Sequence, residues 1–264
     1  MKLCIDTFSG FVGYEDLLPK AAAAGFDGFF SNMGTGRSLE RMQKCRELAD
    51  RYGLYYETSH SYIPGCEELW KADDPTGEGY VDVLKTCIDN CRAVSVPILV
   101  IHPSFPENGG YSIDAGLSRL RRVVEYAGDA GVKLAFEDVK SYDCLRLVLD
   151  TFTQTHVGFC LDTGHNAVYM PEHDCLAEFG KRLFCTHIHD NPGDVDTHGL
   201  PGDGTIDFAR IAGQLAALHY DGCLSLEVRR AASYENLDGE TWLALALARI
   251  QRVRDMVQQA GDKV

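Results

Sequence analysis

Eight short apolar runs alternate with amphipathic stretches, and this alternation constrains the fold more than any other feature of the chain. The apolar runs, which we interpret as β-strands, are 2–6, 26–30, 54–58, 97–102, 132–137, 156–162, 183–189 and 222–228. Apolar residues three or four apart predict helices over 15–24, 38–51, 80–93, 113–127, 207–217 and 240–258. Helix stops are expected at Gly25, Gly53, Gly131 and Gly222, each close before a strand.

Strands that alternate with helices are typical of an all-parallel sheet. The chain has 264 residues, and a (β/α)₈ barrel usually needs about 250 residues. We therefore predict the α/β class: a single domain over residues 1–264, closed as a (β/α)₈ TIM barrel.

Side-chain alternation indicates which strand residues face the barrel interior. Leu134 and Phe136 share one face of the fifth strand, while Ala135 and Glu137 share the other. We expect large apolar residues to face the helices and small residues to fill the interior. In the seventh strand the same alternation puts Leu183, Cys185, His187 and His189 on one face. Its histidines would then emerge at the mouth of the barrel.

Composition excludes several classes of protein. The formal net charge is −14, whereas proteins that bind nucleic acid usually present a basic surface to it. No apolar run reaches the length of a membrane helix, and the amino terminus has no apolar signal core. We expect a cytoplasmic protein that binds neither nucleic acid nor membrane. None of the ten cysteines forms a Cys-x-x-Cys pair, which favours reduced cysteines in the core.

Six consecutive predicted strands end in, or close to, a residue that can bind a divalent metal ion. These residues are His60, His102, Glu137, Asp162, the pair His187 and His189, and Glu227. Barrel active sites lie at the carboxyl ends of the strands. Carboxylates that point to one axis are costly to bury unless a cation neutralises them. The pattern predicts a metal site at the mouth, made by Glu137, Asp162, His187 and Glu227.

These motifs resemble the xylose isomerase-like sugar isomerases and epimerases, which share a barrel with endonuclease IV. The resemblance rests on Glu137, Asp162-x-x-His165, the run His187-Ile-His-Asp-Asn with Pro201-Gly-x-Gly, and Glu227. It implies that Glu137, Asp162, His187 and Glu227 are the four metal ligands, with His187 preferred to His189 because of the aspartate that follows. It also implies that His165 contacts a substrate oxygen.

Two features depart from the epimerase pattern. The ketose 3-epimerases have an arginine soon after the seventh-strand histidine, whereas residues 191–195 here read Asn-Pro-Gly-Asp-Val. In addition, His60, His102, Asp196 and His198 resemble the extra ligands of the three-zinc site of endonuclease IV. The alternative is that these residues bind sugar hydroxyls.

The leading hypothesis is a divalent-metal-dependent isomerase or epimerase that acts on a sugar, sugar phosphate or keto-sugar. A metal ion would hold two substrate oxygens and stabilise an enediolate, while Glu137 and Glu227 transfer the proton. One ion is expected, Mn²⁺ or Zn²⁺, with Mg²⁺ and Co²⁺ as alternatives. The expected substrate contacts are His60, His102, His165, His189, Asp196 and His198. Two other reactions stay open: phosphodiester hydrolysis by an endonuclease IV-like zinc site, and elimination from a keto-glycoside.

Two further segments carry predictions about partners. We expect the long loop 61–79, which contains Tyr62, Ile63 and Trp70, to cover the mouth. Its aromatic residues would contact a sugar face or a neighbouring subunit of a homo-oligomer. Plain surface packing is the alternative. Arg229 and Arg230 follow the eighth strand and would either bind an anion or act as surface charges.

Overall fold

The computed structural model describes residues 1–7, 9, 11, 13–72 and 75–262, and within them the eight predicted strands are all present. They form one parallel sheet in the order β7-β6-β5-β4-β3-β2-β1-β8. The strands are β1 Leu3–Asp6, β2 Gly28–Ser31, β3 Tyr55–His60, β4 Ile98–Ile101, β5 Lys133–Glu137, β6 Val157–Asp162, β7 Leu183–His187 and β8 Leu224–Leu226. The predicted (β/α)₈ TIM barrel is confirmed.

The barrel closes between β7 and β8 by a single bridge just beyond the end of β7. Ile188 pairs with Leu226. The amide of Ile188 donates to the carbonyl of Ser225 at 2.7 Å, and the amide of Glu227 donates to the carbonyl of Ile188 at 3.1 Å. This bridge brings the ends of β7 and β8 together, so that His187 and Glu227 lie beside each other at the mouth.

Ten α-helices are found in the described part of the chain. They are α1 Tyr14–Ala24, α2 Met33–Gly36, α3 Leu39–Tyr52, α4 Pro75–Ala93, α5 Ile113–Ala130, α6 Tyr142–Thr151, α7 Thr163–Tyr169, α8 Cys175–Phe179, α9 Phe208–Ala217 and α10 Gly239–Gly261. The prediction missed α2, α6, α7 and α8. Helix α6 could have been predicted from the sequence. Ser141 is a typical capping residue and its hydroxyl caps the helix, and the buried residues Leu145, Val148 and Leu149 recur at helical spacing.

The helix stops were predicted correctly at three of four glycines. Gly25, Gly53 and Gly131 adopt φ angles of 103°, 69° and 71°, which glycine reaches without the steric cost of a Cβ atom. The fourth prediction was wrong, because α9 ends at Ala217 and the left-handed residue after it is His219.

The apolar side chains form an outer and an inner cluster, as the alternation predicted. Leu134, Phe136, Leu224 and Leu226 belong to the outer cluster beneath the helices. The inner cluster consists of Ile98, Val100, Ala135, Cys160 and Cys185. The prediction fails for Leu183, which packs on the outer cluster while Phe184 contacts the inner one. The cause is an irregular register between β6 and β7, which interrupts the two-residue alternation before Cys185.

All ten cysteines are free and buried. In the described residues, no helix combines the length and the apolar character that crossing a membrane requires.

The described parts of the segment 61–79, which are 61–72 and 75–79, differ from the long loop that we predicted, and residues 73 and 74 lie outside the described residues. A 3₁₀ helix spans Cys66–Trp70, and α4 begins at Pro75. Trp70 is fully buried, in edge contact with Phe105 at a ring distance of 4.7 Å. A Cβ atom added at Gly116 would lie 2.0 Å from Cε3 of Trp70, so this glycine leaves the room that the indole occupies. The prediction that Trp70 contacts a sugar or a neighbouring subunit is therefore wrong.

Trp70→Ala will lower the free energy of unfolding by about 3–5 kcal/mol, because a buried indole leaves a cavity that its neighbours fill only in part. Denaturant unfolding followed by circular dichroism measures this loss. Tyr52→Ala is the control, since Tyr52 is an exposed aromatic residue on α3, and it should change stability by under about 1 kcal/mol. A Trp70→Ala protein as stable as this control would contradict the assigned packing role.

Candidate metal centre and active site

All ten predicted site residues meet at the mouth of the barrel. They are Glu137, Asp162, His187 and Glu227, with His60, His102, His165, His189, Asp196 and His198 around them. Parallel strands bring their carboxyl ends to one edge of the barrel, so residues far apart in sequence become neighbours. Their side chains form three adjoining groups of potential metal ligands.

The central group contains Glu137, Asp162, His187 and Glu227, and one ligand atom from each lies within 4.8 Å of the others. Nδ1 of His187 lies 3.3 Å from Oε1 of Glu137 and 2.9 Å from Oε2 of Glu227. The structure thus brings His187, rather than His189, together with the three carboxylates.

The second group joins His60 and His102 to the other oxygen of Glu137. Nε2 of His60 is 3.0 Å from Nε2 of His102 and 3.1 Å from Oε2 of Glu137, and Nε2 of His102 is 3.2 Å from the same oxygen. A tetrahedral zinc ion with bonds of about 2.0–2.1 Å holds its ligand atoms about 3.3 Å apart. The three distances between Nε2 of His60, Nε2 of His102 and Oε2 of Glu137, which are 3.0, 3.1 and 3.2 Å, are close to this separation. Glu137 has one oxygen in each of the two groups, which is the arrangement of a bridging carboxylate.

The third group contains His165, His189, Asp196 and His198. Oδ2 of Asp196 lies 3.4 Å from Nε2 of His165 and 3.5 Å from Nε2 of His198. The rings of His189 and His198 stack with centroids 4.1 Å apart. His198 adopts a φ of 50°, a left-handed conformation that costs a non-glycine residue about 1 kcal/mol or more. The fold holds this strained residue where its ring reaches the mouth.

Backbone carbonyls orient two of the imidazoles. Nδ1 of His60 lies 2.9 Å from the carbonyl of Ser61, and Nδ1 of His198 lies 2.9 Å from the carbonyl of Glu227. A carbonyl only accepts hydrogen bonds, so in both residues the proton is on Nδ1. Nε2 then faces the cluster and is the ring nitrogen that would bind a metal ion in its unprotonated form.

The loop that carries Asp196 and His198 is held by Asp190. Its carboxylate accepts hydrogen bonds from the amides of Gly202 and Gly204 at 2.8 and 2.9 Å, and its backbone pairs with Gly199. A Cβ atom at Gly204 would lie 2.1 Å from the carbonyl oxygen of Asn191. The Pro-Gly-Asp-Gly sequence is therefore needed for the close approach of this loop to Asp190.

Three residues that support the site were not predicted from the sequence. Phe30 stacks on His187 at 4.4 Å, Thr163 accepts a hydrogen bond from the amide of His189 at 3.0 Å, and Asp138 accepts one from the amide of Asp162 at 2.6 Å. Asp138 could have been suspected from the sequence, because it directly follows the predicted ligand Glu137. Phe30 and Thr163 had none, since their roles depend on strands that are distant in sequence.

A cavity of about 570 Å³ opens beside the cluster, bordered by Glu227 and His60. Its other walls are Thr7, Phe11, Gly13, Tyr14, Glu15, Asn32, Met33, Gly34, Thr35, Arg41, Tyr62, Ile63 and Arg229. Tyr62 and Ile63 line this cavity, whereas Trp70 does not, so contact between Tyr62 and a sugar stays a prediction. Arg229 also pairs with Asp6 at 2.6 Å. Arg230 donates to the carbonyls of Tyr234 and Glu235 and does not line the cavity.

The electrostatics of the cluster favour bound positive charge. Burial acts to raise the pKa of Glu137, but His187 and His102 outweigh it and hold that pKa well below its usual value. Burial acts to lower the pKa of His187, but Glu137 and Glu227 raise it well above the ordinary value. Without a metal ion, the pKa shifts thus favour ionised Glu137 and Glu227 beside a protonated His187.

The central group fits a divalent cation. Oε1 of Glu137, Oδ2 of Asp162, Nδ1 of His187 and Oε2 of Glu227 are all buried without a hydrogen bond of ordinary geometry, although Nδ1 of His187 lies within ion-pair distance of Glu137 and Glu227. Unpaired buried polar atoms are costly and call for an explanation. Three carboxylates and one imidazole suit Mn²⁺ or Zn²⁺, and a cation at their centre would satisfy all four atoms together.

One known protein is similar to this chain in sequence over most of its length. An uncharacterized protein of Sinorhizobium fredii is 30% identical over 202 residues, which cover 69% of this chain and 63% of that protein. This chain therefore spans less than two thirds of that relative's length.

Two solved structures show the same fold. An L-ribulose 3-epimerase has a TM-score of 0.76 and 22% identity, covering 99% of this chain and 96% of its own. A D-allulose 3-epimerase from Methylomonas sp., solved in complex with D-allulose, has a TM-score of 0.72 and 18% identity, covering 95% and 97%. At these identities the likeness establishes the fold alone.

The family comparison covers most of the barrel. A family model described as the xylose isomerase-like TIM barrel matches residues 18–253, a range that contains all ten residues of the mouth. The chain therefore belongs to the xylose isomerase-like TIM barrel family.

Proposed function

We propose that this chain is a divalent-metal-dependent isomerase or epimerase that moves a proton next to the carbonyl of a sugar or sugar derivative. The observation that carries the proposal is the central group, whose four buried ligand atoms have no hydrogen bond of ordinary geometry and lie next to an open cavity. The named epimerases with this fold support the same class of substrate.

A bound divalent ion would polarise the substrate carbonyl and offset the charge that develops on its oxygen. Glu227 is the proton carrier nearest to solvent, because its side chain is 14% exposed and borders the cavity. Glu137 is fully buried, and its Oε1 lies 3.3 Å from Nδ1 of His187, the nitrogen that Glu227 also contacts. We assign the first proton transfer to Glu227 and the second, which an epimerase needs on the opposite substrate face, to Glu137.

The cavity supports a neutral or weakly charged substrate. It contains aromatic side chains, which pack against sugar faces, and hydroxyl and amide groups, which bond sugar oxygens. Two arginines border it, and both have protein partners, with Arg229 bound to Asp6 and Arg41 bound to the carbonyl of Gly34. The net charge of −14 opposes a polyanionic substrate such as DNA. We place His60, His102, His165, His189, Asp196 and His198 around the substrate hydroxyls.

Phosphoester hydrolysis is the second candidate, and the bridging position of Glu137 favours it. Hydrolases gain from two ions about 3.5–4 Å apart, because one activates water while the other holds the leaving oxygen. The His60 and His102 triangle provides a second set of ligands, and the group around Asp196 provides a third. The two candidates therefore differ in how many ions the enzyme needs.

Metal content distinguishes the two candidates. We expect one tightly held ion per chain after gel filtration without chelator, measured by elemental analysis. Two or three zinc ions per chain, retained and required for activity, would favour the hydrolase.

The reaction itself is tested by isotope exchange. Ketoses, sugar phosphates, keto-glycosides and DNA with abasic sites are incubated with the metal-loaded protein in D₂O. A proton-transfer enzyme incorporates deuterium at the carbon next to the carbonyl of its substrate, which NMR detects. Cleavage of the DNA or release of phosphate, with no exchange into any carbohydrate, would reject the proposal.

A further inference from the structure

A second group of potential ligands lies inside the barrel, away from the mouth. It consists of Cys4 on β1, Glu57 on β3 and Cys223 just before β8, and their ligand atoms lie within 4.8 Å of one another. In the sheet, β3 and β8 are separated by β2 and β1. Side chains from these strands meet only across the barrel interior. We call these three residues the interior cluster.

The interior cluster is shielded from water. Cys4, Glu57 and Cys223 are 0%, 3% and 6% exposed. Among the residues that the structure describes, no lysine or arginine pairs with Glu57, and His187 is the charged residue that lowers its pKa. The side chain of Glu57 instead accepts a hydrogen bond from the hydroxyl of Ser225. A buried carboxylate without a cationic partner is expensive to keep ionised, so Glu57 needs either a proton or a metal ion.

The surrounding residues hold the two sulfur atoms in place. A Cβ atom at Gly28 would lie 2.9 Å from Sγ of Cys4, so the glycine on β2 leaves room for this sulfur. The carbonyl of Cys223 accepts hydrogen bonds from Thr186 at 3.0 Å and from Tyr220 at 2.9 Å. The Ser225 hydroxyl orients the carboxylate of Glu57, as groups that bond to metal ligands commonly do.

We propose that Cys4, Glu57 and Cys223 form a separate structural site for a thiophilic divalent cation of the zinc type. Zn²⁺ bonds thiolate sulfur at about 2.3 Å and carboxylate oxygen at about 2.0–2.2 Å, and three ligand atoms within 4.8 Å of one another can surround one such ion. The bound ion would connect β1, β3 and β8 below the active site. This site is independent of the proposed reaction at the mouth. Its ion adds to the metal content of the chain, so the number of ions at the mouth is the total content minus the thiolate-bound ion.

Binding exchanges protons for the metal ion. Burial raises the pKa of Glu57 to about 7 and raises the pKa of Cys4 above its usual value. One divalent ion that binds two thiols and one carboxylic acid releases three protons and leaves one net negative charge. The affinity for the ion should therefore rise with pH.

Cobalt absorption provides a specific test, because the ten residues of the mouth include no cysteine. The full chain is freed of metal with a chelator and titrated with Co²⁺. Thiolate ligands give a sulfur-to-cobalt charge-transfer band in the near ultraviolet, whereas oxygen and nitrogen ligands do not. We expect this band to saturate at one thiolate-bound Co²⁺ per chain and to disappear when Zn²⁺ is added.

Three variants test which residues give rise to the sulfur-to-cobalt charge-transfer band. Cys4→Ser combined with Cys223→Ser should abolish it, whereas Cys144→Ser should leave it unchanged, since Cys144 is equally buried but lies on α6. Glu57→Gln preserves the shape of the side chain and both thiols, so it remains informative if the double variant does not fold. We expect it to weaken thiolate-bound Co²⁺ at least tenfold. The proposal is overturned by absence of the band in the wild-type protein, by its survival in the double variant, or by unchanged Co²⁺ affinity in Glu57→Gln.

Discussion

Glu227→Gln will lower turnover on the true substrate by about 10²–10⁴-fold, the usual contribution of a positioned proton carrier. Glutamine has the shape of glutamate but cannot accept the substrate proton at neutral pH. Glu227 borders the cavity and contacts His187 at 2.9 Å, so no other carboxylate of the central group is as well placed to reach a substrate. Steady-state kinetics give the loss, and circular dichroism should show an unchanged fold.

Glu137→Gln will cause a loss of similar size, with a different accompanying effect. Both of its oxygens lie among histidine nitrogens, 3.1 Å from His60 and 3.3 Å from His187. This variant should therefore retain less metal than Glu227→Gln, which also removes a ligand of the central group but contacts only one histidine there, and elemental analysis would detect the difference. Glu172→Gln is the control, because Glu172 is exposed in the loop after α7, and its turnover should match the wild type. Near wild-type turnover in either active-site variant would show that the two-base mechanism is wrong.

Removing the metal will abolish activity and lower the melting temperature by about 10 °C. A ligand present at a thousand times its dissociation constant stabilises the folded state by about 4 kcal/mol, and each kcal/mol corresponds to about 2–4 °C in a protein of this size. The physical cause is the central group, whose carboxylates repel one another once the cation has left. Thermal unfolding of chelated and reloaded protein measures the shift.

Mn²⁺ is the better ion for this reloading experiment, because thiolates such as those of the interior cluster favour softer metals. Activity and melting temperature should both return when it is added. His187→Ala removes a central ligand, and its melting temperature should respond much less to Mn²⁺. Full activity in protein shown by elemental analysis to be metal-free would refute a metal-dependent reaction.

The sequence alone was sufficient to predict the barrel and the residues at its mouth. Eight apolar runs, the glycine stops after α1, α3 and α5, and the polar residues at strand ends are local signals that each element carries in its own sequence. Because parallel strands end at a common edge, the strand-end residues Glu137, Asp162, His187 and Glu227 had to meet there once the fold was known.

Other features depended on contacts between distant parts of the chain, which no local pattern records. Trp70 looked like an exposed loop residue because the space that buries it is left by Gly116, 46 positions further along the sequence. The bridging position of Glu137 depends on the side-chain conformations of residues from β3, the end of β4 and β7. The interior cluster joins β3 to β8 across the barrel. Local sequence determines where a strand ends and which face is apolar, whereas only tertiary packing decides which side chains meet across the interior and how far apart their atoms lie.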